Sequence, residues 1–413
     1  MERIYRYRMT TTSGGNLSIR EPGGDVWITP ARVDKGALRR EDIVLVRADG
    51  TVEGVRKPSS ELPLHQAIYR KRPDVRGIVH AHPVALVAFS LVHEVPDTRL
   101  FHQSWHVCGQ GGFAAYELPG SEALGRTVAN TFSSGADCVI LENHGVVTVG
   151  NDLQQAFRRF ETFEFTGKII IKARLLGREV HYLSDEEIAV VQRRGRLPEF
   201  PRGPASSTEK ELRWRLCEFV RRAYRQRLFI STQGSFSVRL SDSSFLITPS
   251  GVDRGSLEPR DLALVENGRV EAGVQPSRAA PIHDAIYRAH PHIGAIVNAY
   301  SVNATAFSVS NEVIDTRTIP ESYVVIRRPG LANFGVQFSD PDGLAGLLSP
   351  TRPALILEND GVLVTGRDMV EAFDRLEVLE ATAEALINSQ AVGTLSPMPD
   401  EALLELERVF FGI

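Results

Sequence analysis

The residues of this chain best suited to chemistry are His80 and His82, in Val79-His80-Ala81-His82-Pro83, with Glu61 upstream and His144 downstream. Two histidines two apart on an extended strand point to the same side, because strand side chains alternate faces with period 2. Both rings can then converge on one cation. Ile78-Val79 is strand-like and Pro83 ends the run. Glu61, in Pro58-Ser59-Ser60-Glu61, supplies a carboxylate, and His144, in Glu142-Asn143-His144-Gly145, a third imidazole. Three neutral imidazoles with a carboxylate or water suit zinc, and also iron, manganese or cobalt. Glu61 can ligate such an ion, or act as the base that takes a proton from a carbon beside a polarised carbonyl. A bare His-x-His pair is more often two polar residues on a strand; Glu61 and His144 lift this one above that reading.

Two further loops are suited to holding a small anion beside the cation. Gly14-Gly15-Asn16 offers backbone N–H groups with no Cβ in the way. Ser59 and Ser60 add hydroxyls at the expected start of a helix, where the dipole and free N–H groups also favour an anion. The plainer readings are a tight turn for the glycines and an N-cap for one of the serines.

The elements that must position these residues occur twice. Ser13-Gly14-Gly15-Asn16-Leu17-Ser18-Ile19-Arg20 returns as Thr232-Gln233-Gly234-Ser235-Phe236-Ser237-Val238-Arg239, and Ile28-Thr29-Pro30 as Ile247-Thr248-Pro249. His65-Gln66-Ala67-Ile68-Tyr69-Arg70 returns as His283-Asp284-Ala285-Ile286-Tyr287-Arg288, and Leu141-Glu142-Asn143 as Leu357-Glu358-Asn359. The offset drifts only from 219 at Ile28 to 216 at Leu141, so two copies of one domain are expected. In the first copy, short apolar strands (Val26–Thr29, Ile43–Val46, Gly77–Val79, Val139–Leu141, Val146–Val149) alternate with helical stretches at Leu62–Lys71, Ser121–Thr131 and Asp152–Leu176, the last stopped by Gly177. This pattern predicts a layered α/β or α+β domain around a central sheet. A Pro/Arg/Gly/Ser-rich stretch, 197–207, reads as a linker between a domain at 1–196 and another at 208–413. The second copy opens on an amphipathic helix, Glu209–Arg227, with Trp214, Leu216, Phe219 and Val220 assigned to its apolar side. The first copy has only Met1–Thr12 there, so either it lacks that helix or the sequence is shortened at its start.

The chain has 413 residues, 42% hydrophobic and 24% charged, as in ordinary globular proteins. A net charge of −4 argues against nucleic acid or an anionic membrane as the main partner. No apolar run is long enough for a membrane span, and Met1–Arg6 does not read as a secretion signal. Cys108, Cys138 and Cys217 are odd in number and widely spaced, implying neither disulfides nor a cysteine metal site. A cytoplasmic location is expected.

Taken in order, Ser-Gly-Gly-Asn-Leu-Ser, Ile-Thr-Pro, Pro-Ser-Ser-Glu, His-Ala-His-Pro and Glu-Asn-His-Gly resemble the class II aldolase/adducin head family. Leu183-Ser184-Asp185-Glu186-Glu187-Ile188 resembles its C-terminal segment. The resemblance covers about residues 10 to 190 and, weakened, 210 to 390. It implies two tandem αβα sandwiches, each with a central mixed or antiparallel sheet, and a divalent metal, usually zinc. His80, His82 and His144 would be the ligands and Glu61 the acid/base. Gly15, Asn16, Ser59 and Ser60 would hold the phosphate or carboxylate of a small anionic substrate. The implied activity is that of a metal-dependent lyase, an aldolase or decarboxylase working through an enediolate. Alternatives on the same fold are a non-haem iron oxygenase performing oxidative decarboxylation and a non-catalytic adducin-like interaction module.

The chain departs from this pattern in informative places. After Ile28-Thr29-Pro30 the family usually has Ser-Gly, but here stand Ala31 and Arg32, a guanidinium able to hold a carboxylate bidentately. A solvent-facing Arg32 is the plainer alternative. No tyrosine falls where the family's sugar-phosphate aldolases place a proton donor. The nearest substitutes are His102 and His106, of which His102 is assigned that role. In the second copy Asn298, Tyr300, Asp360 and Ala279 replace His80, His82, His144 and Glu61, and Ser235 and Arg278 replace Asn16 and Ser60. The second domain is therefore expected to be catalytically dead. Because relatives form rings of four, a homodimer building a pseudo-tetramer of domains is expected, with Arg278, Tyr300 and Tyr323 as candidates to reach across.

Overall fold

A computed structural model describes residues 1–191 and 197–412. Two compact units are present, Met1–Arg99 with Gln103–Lys168, and Leu100–His102 with Ile169–Ile413. The first is built on strands β1 (Asn16–Arg20), β2 (Val26–Ile28), β3 (Val44–Val46), β4 (Val52–Glu53), β5 (Gly77–Ala81), β6 (Gly112–Ala114), β7 (Cys138–Leu141) and β8 (Gly145–Gly150). They form one sheet in the order β4-β3-β2-β1-β5-β8-β7-β6, antiparallel except for the β6/β7 pair.

Both faces of the central strands β5, β7 and β8 are buried, in keeping with their unbroken apolar runs. Ile78, Val139, Leu141, Val147 and Val149 enter a core with Leu64, Ala67 and Ile68 of helix Leu62–Lys71 and Leu124, Val128 and Phe132 of helix Glu122–Phe132. Their strand neighbours Val79, Ala81, Ile140 and Val146 enter the opposite core with Leu86, Val107 and Phe160. Period-2 alternation thus separates two helical layers, giving the expected αβα sandwich. Local signals set the ends. Ser121 Oγ caps Leu124 N at 3.1 Å, Asp152 Oδ1 accepts Gln155 N at 2.6 Å, and Gly177, at φ +69°, follows helix Leu153–Leu175.

The second unit repeats the plan with β9 (Glu199–Phe200), β10 (Ser235–Ser241), β11 (Ser244–Ile247), β12 (Ala263–Glu266), β13 (Arg269–Glu271), β14 (Ala295–Ala299), β15 (Gly330–Ala332), β16 (Ala354–Leu357) and β17 (Gly361–Gly366). The order is β15-β16-β17-β14-β10-β11-β12-β13-β9. β9 lies inside the stretch read as a linker and pairs parallel with β13, Val270 opposite Glu199. Helix Ser207–Arg225 is capped by Ser206 Oγ and buries Leu216, Cys217 and Val220. Trp214, assigned to that apolar side, is 55% exposed. Two residues before Leu216 it is rotated by about 200° around the helix, which puts it on the outer face. On the inner face Arg213 is buried between Glu209 Oε1 (2.7 Å) and Glu271 Oε1 (2.8 Å) and also donates to Leu262 O.

One buried hydrogen-bond chain is duplicated whole. Ser18 Oγ joins His65 Nδ1 (2.6 Å) and Tyr69 OH (2.7 Å), and Ser237 Oγ joins His283 Nδ1 (2.7 Å) and Tyr287 OH (2.7 Å). Burial lowers the His283 pKa to about 4. The folded chain therefore resists a proton that the unfolded chain accepts near pH 6.5. Stability from this site is complete above pH 6.5 and is lost as pH falls toward 4, by about 3 kcal/mol in total. Denaturant unfolding of the parent and His283→Gln at pH 7 and pH 4.5 is expected to show a steeper acid loss for the parent. Parallel pH profiles would refute this account.

Candidate metal centre and anion cleft

His80 is carried on the central strand β5, opposite Asn16 of β1 and Val147 of β8. His82 follows immediately, before Pro83 and helix Val84–Leu91, whose first N–H groups are held by the buried Glu164 carboxylate (Leu86 N, 3.1 Å). His144 sits in the turn joining β7 to β8, after Asn143 at φ +53°. The three ring centroids lie 4.9–5.0 Å apart. One ring nitrogen from each falls within 4.8 Å of the others, an arrangement that could hold a metal ion. Glycine makes the room. A Cβ on Gly14 would come within 3.1 Å of His82 Nδ1, and one on Gly145 within 2.8 Å of His82 Cδ2 and 2.6 Å of Ala81 O.

The chemistry of the donor set fits a divalent cation. His80 Nδ1 donates to Val146 O at 2.9 Å, which leaves the Nε2 lone pair facing inward. His82 Nε2, His144 Nδ1 and Glu61 Oε1 are buried without a hydrogen-bond partner, and His80 Nε2 faces the Glu61 carboxylate at 3.0 Å. Orphaned buried groups of this kind cost about 1–3 kcal/mol each, and a cation among them removes that cost. Burial, reinforced by His80, lowers His82 to about 3 and His144 to about 4, so both are neutral ligands. Burial opposes charge on His80 as well, but the Glu61 carboxylate outweighs it and raises its pKa.

Glu61 is the acid of the group. Its Oε2 accepts Asn16 Nδ2 at 2.7 Å and lies 3.0 Å from His80 Nε2, while Oε1 lies 3.6 Å from His144 Nε2. Burial alone would raise its pKa, yet the His80 and His144 rings and the Asn16 amide hold it well below the usual carboxylate range. Asn16 is itself oriented by His65 Nε2, 2.5 Å from its Oδ1. The duplicated hydrogen-bond chain thus ends at the catalytic candidate, a role for His65 that its helical repeat pattern did not reveal.

Beside these rings opens a cleft of about 250 Å³ lined by Gly14, Gly15, Asn16, Arg32, Lys35, Ser59, Ser60, Glu61, His82 and His144 among others. Nine of the ten expected site residues thus meet here, His80 lying beneath the cleft floor in contact with Glu61. The serines divide their work. Ser59 is buried and its Oγ accepts Glu61 N at 3.2 Å, the local cap anticipated for one of them, whereas Ser60 is exposed in the cleft. His102 does not join the group. It is buried, clusters with the second unit, and lies 3.4 Å from Arg278 Nη1. Lys35 was not foreseen, since a lone lysine in a polar loop reads as solvent-exposed.

Arg32 is exposed and adopts φ +53°, where the second unit has Gly251 at φ +75°. A left-handed non-glycine residue is strained by about 1–2 kcal/mol, partly offset by the entropy a glycine would lose. Arg32→Gly is therefore expected to stabilise the first unit by up to about 1 kcal/mol while weakening KM for an anionic substrate severalfold. Thermal melts and steady-state kinetics check the two halves, and a destabilised variant would count against the strain.

In the second unit the corresponding groups satisfy one another. Tyr300 OH donates to Asp360 Oδ1 at 2.7 Å, Gln337 Nε2 to Asp360 Oδ2 at 3.2 Å, and Asn298 Oδ1 pairs with His283 Nε2 at 2.7 Å. Tyr323 OH is likewise engaged, with Glu407 at 2.5 Å. Among the described residues, the only group of three or more His, Cys, Asp or Glu placed for a metal is His80, His82 and His144.

The sequence matches the family described as Class II Aldolase and Adducin N-terminal domain over residues 1–171 and again over 215–387. It is 31% identical over 197 residues to the 3-oxo-tetronate 4-phosphate decarboxylase of Haemophilus influenzae, covering 47% of this chain and 92% of that one. It is 33% identical to the L-fuculose phosphate aldolase of Methanocaldococcus jannaschii (41% and 90% covered). Identity to the 5-deoxy-D-ribulose 1-phosphate aldolase of Bacillus thuringiensis serovar kurstaki is 35% (44% and 84%).

Proposed function

This chain belongs to the class II aldolase and adducin N-terminal domain family, and from that premise we propose that its first unit is a divalent-metal-dependent lyase. It cleaves or decarboxylates a small hydroxy- or oxo-acid or sugar phosphate, with zinc as the preferred ion. The observation that carries this reading is the convergence of ring nitrogens from His80, His82 and His144, within 4.8 Å of one another, beside an ionised Glu61. The names of the relatives, two aldolases and a decarboxylase, support the reaction class.

A cation held by His80, His82 and His144 would supply Lewis-acid polarisation of a substrate carbonyl. The chain's own residues do the rest. Glu61, ionised and 2.7 Å from the Asn16 amide, accepts and returns the proton at Oε1 or Oε2. Asn16 fixes that carboxylate, and His65, Ser18 and Tyr69 fix Asn16. Gly15 N–H, Ser60 and Arg32 orient the anionic end of the substrate from the opposite wall. The second unit, with Tyr300, Asn298 and Asp360 engaged in hydrogen bonds of their own, is catalytically silent. We place the protein in the cytoplasm, which its three free, buried cysteines support, and no described helix is long and apolar enough to cross a membrane. Two chains would bring four domains together, a stoichiometry that light scattering reads directly.

The test is elemental analysis of chelator-untreated protein together with cleavage and decarboxylation assays on phosphorylated and carboxylated hydroxy-ketones. A single bound divalent ion and oxygen-independent turnover are expected. Turnover that consumes oxygen would favour the oxygenase alternative. A protein that holds no ion and takes none up would leave an interaction module as the better description.

A further inference from the structure

Lys35 is one of the two largest fully buried side chains among the described residues, and it lines the cleft beside Glu61. Its Nζ makes one side-chain hydrogen bond, to Pro30 O at 2.6 Å, and it forms no ion pair among the described residues. An ammonium taken out of water is ordinarily paired with an acid or surrounded by acceptors. The second unit shows the saturated solution at the corresponding position. Arg254 there donates to the carbonyls of Gln233, Gly234, Pro249 and Val252, at 2.9–3.2 Å. Pro249 corresponds to Pro30, so Lys35 retains one of the four contacts and keeps two N–H groups unspent. Burial lowers its pKa, with no acid close enough to restore it.

We propose that Lys35 is a specificity-determining residue of this cleft, its two unspent N–H groups binding the terminal oxyanion of the substrate as counter-charge. The proposal deepens the lyase reading by naming what recognises the anionic end. It assigns Lys35 no step in bond cleavage. Phosphate and carboxylate share the required chemistry, a compact oxyanion with several acceptor oxygens. Arg32 at the exposed wall and Lys35 at the buried one then grip the same group from two sides.

Calorimetric titration with inorganic phosphate and, separately, acetate tests this on the purified full chain and on Lys35→Met and Lys35→Arg. Each titration is repeated in the His82→Ala background, which removes binding at a metal. The parent is expected to bind at least one of the two anions, and the tighter one identifies the class of terminal group. Lys35→Met is expected to weaken that binding at least tenfold while leaving the unliganded melting temperature equal or higher. Lys35→Arg is expected to weaken it similarly despite its charge, because its guanidinium takes the carbonyls that Arg254 takes. This variant also carries the test should Lys35→Met fold poorly. Affinity retained within twofold by either variant, or no binding of either anion by the parent, overturns the proposal. Loss of anion binding at Lys35 in a protein that never loads metal would instead sustain it and count against the lyase.

Discussion

His82→Ala is expected to reduce bound metal to background and lower turnover by about a thousandfold or more, since Lewis-acid polarisation is worth several kcal/mol. The structure makes the loss specific. His82 is one of three rings whose nitrogens converge, and two glycines leave the room that admits it. Truncation removes one of the three converging ring nitrogens and opens a void in the pocket that the ion would occupy. Elemental analysis and kcat measure the effect. The matched control is Asp360→Ala in the second unit, where the replaced group accepts from Tyr300 and Gln337. There the cost is stability, about 1–3 kcal/mol for donors left without an acceptor, with kcat unchanged within about twofold. Equal loss of activity from both variants would mean that the live and silent units have been misassigned.

Arg213→Ala is expected to destabilise the second unit by about 3–5 kcal/mol, the largest single loss of stability in that half. Arg213 and Glu271 are buried, and Glu209 nearly so, and the guanidinium also satisfies Leu262 O. Removing it strands two carboxylates away from water, with Arg202 Nε at 3.2 Å as the remaining cation on Glu271. Chemical denaturation followed by tryptophan fluorescence would report the loss through Trp214 on the same helix. Replacing Arg213, Glu209 and Glu271 together with apolar residues of similar volume should recover most of it. A single variant that loses less than about 1 kcal/mol would show that the network is solvated in practice.

The layers and the duplication were legible because they rest on periodicity. Helix Leu62–Lys71, the strand carrying His80 and the two strands flanking His144 fall where alternation and 3.6-residue spacing put them. The three histidines that could hold a metal were legible through residue type and order. What escaped depends on which neighbour a side chain meets. Lys35 and Arg213 have the composition of surface residues, and only tertiary packing buries them. Trp214 was misplaced because apolar character was weighed above helical phase. His102 was placed by proximity in sequence to a strand it does not serve. β9 hides in a Pro-rich stretch because two residues suffice to pair with an existing sheet edge.

The bare Cα of Gly14 has a consequence for redesign. The twin domain has Gln233 at that place, buried at 2% exposure with both amide atoms unpartnered. The first unit has no side chain at that position, where a Cβ would come within 3.1 Å of His82 Nδ1. A second unit given histidines at 298, 300 and 360 would therefore still differ from the first at position 233, and emptying that position belongs in any such redesign.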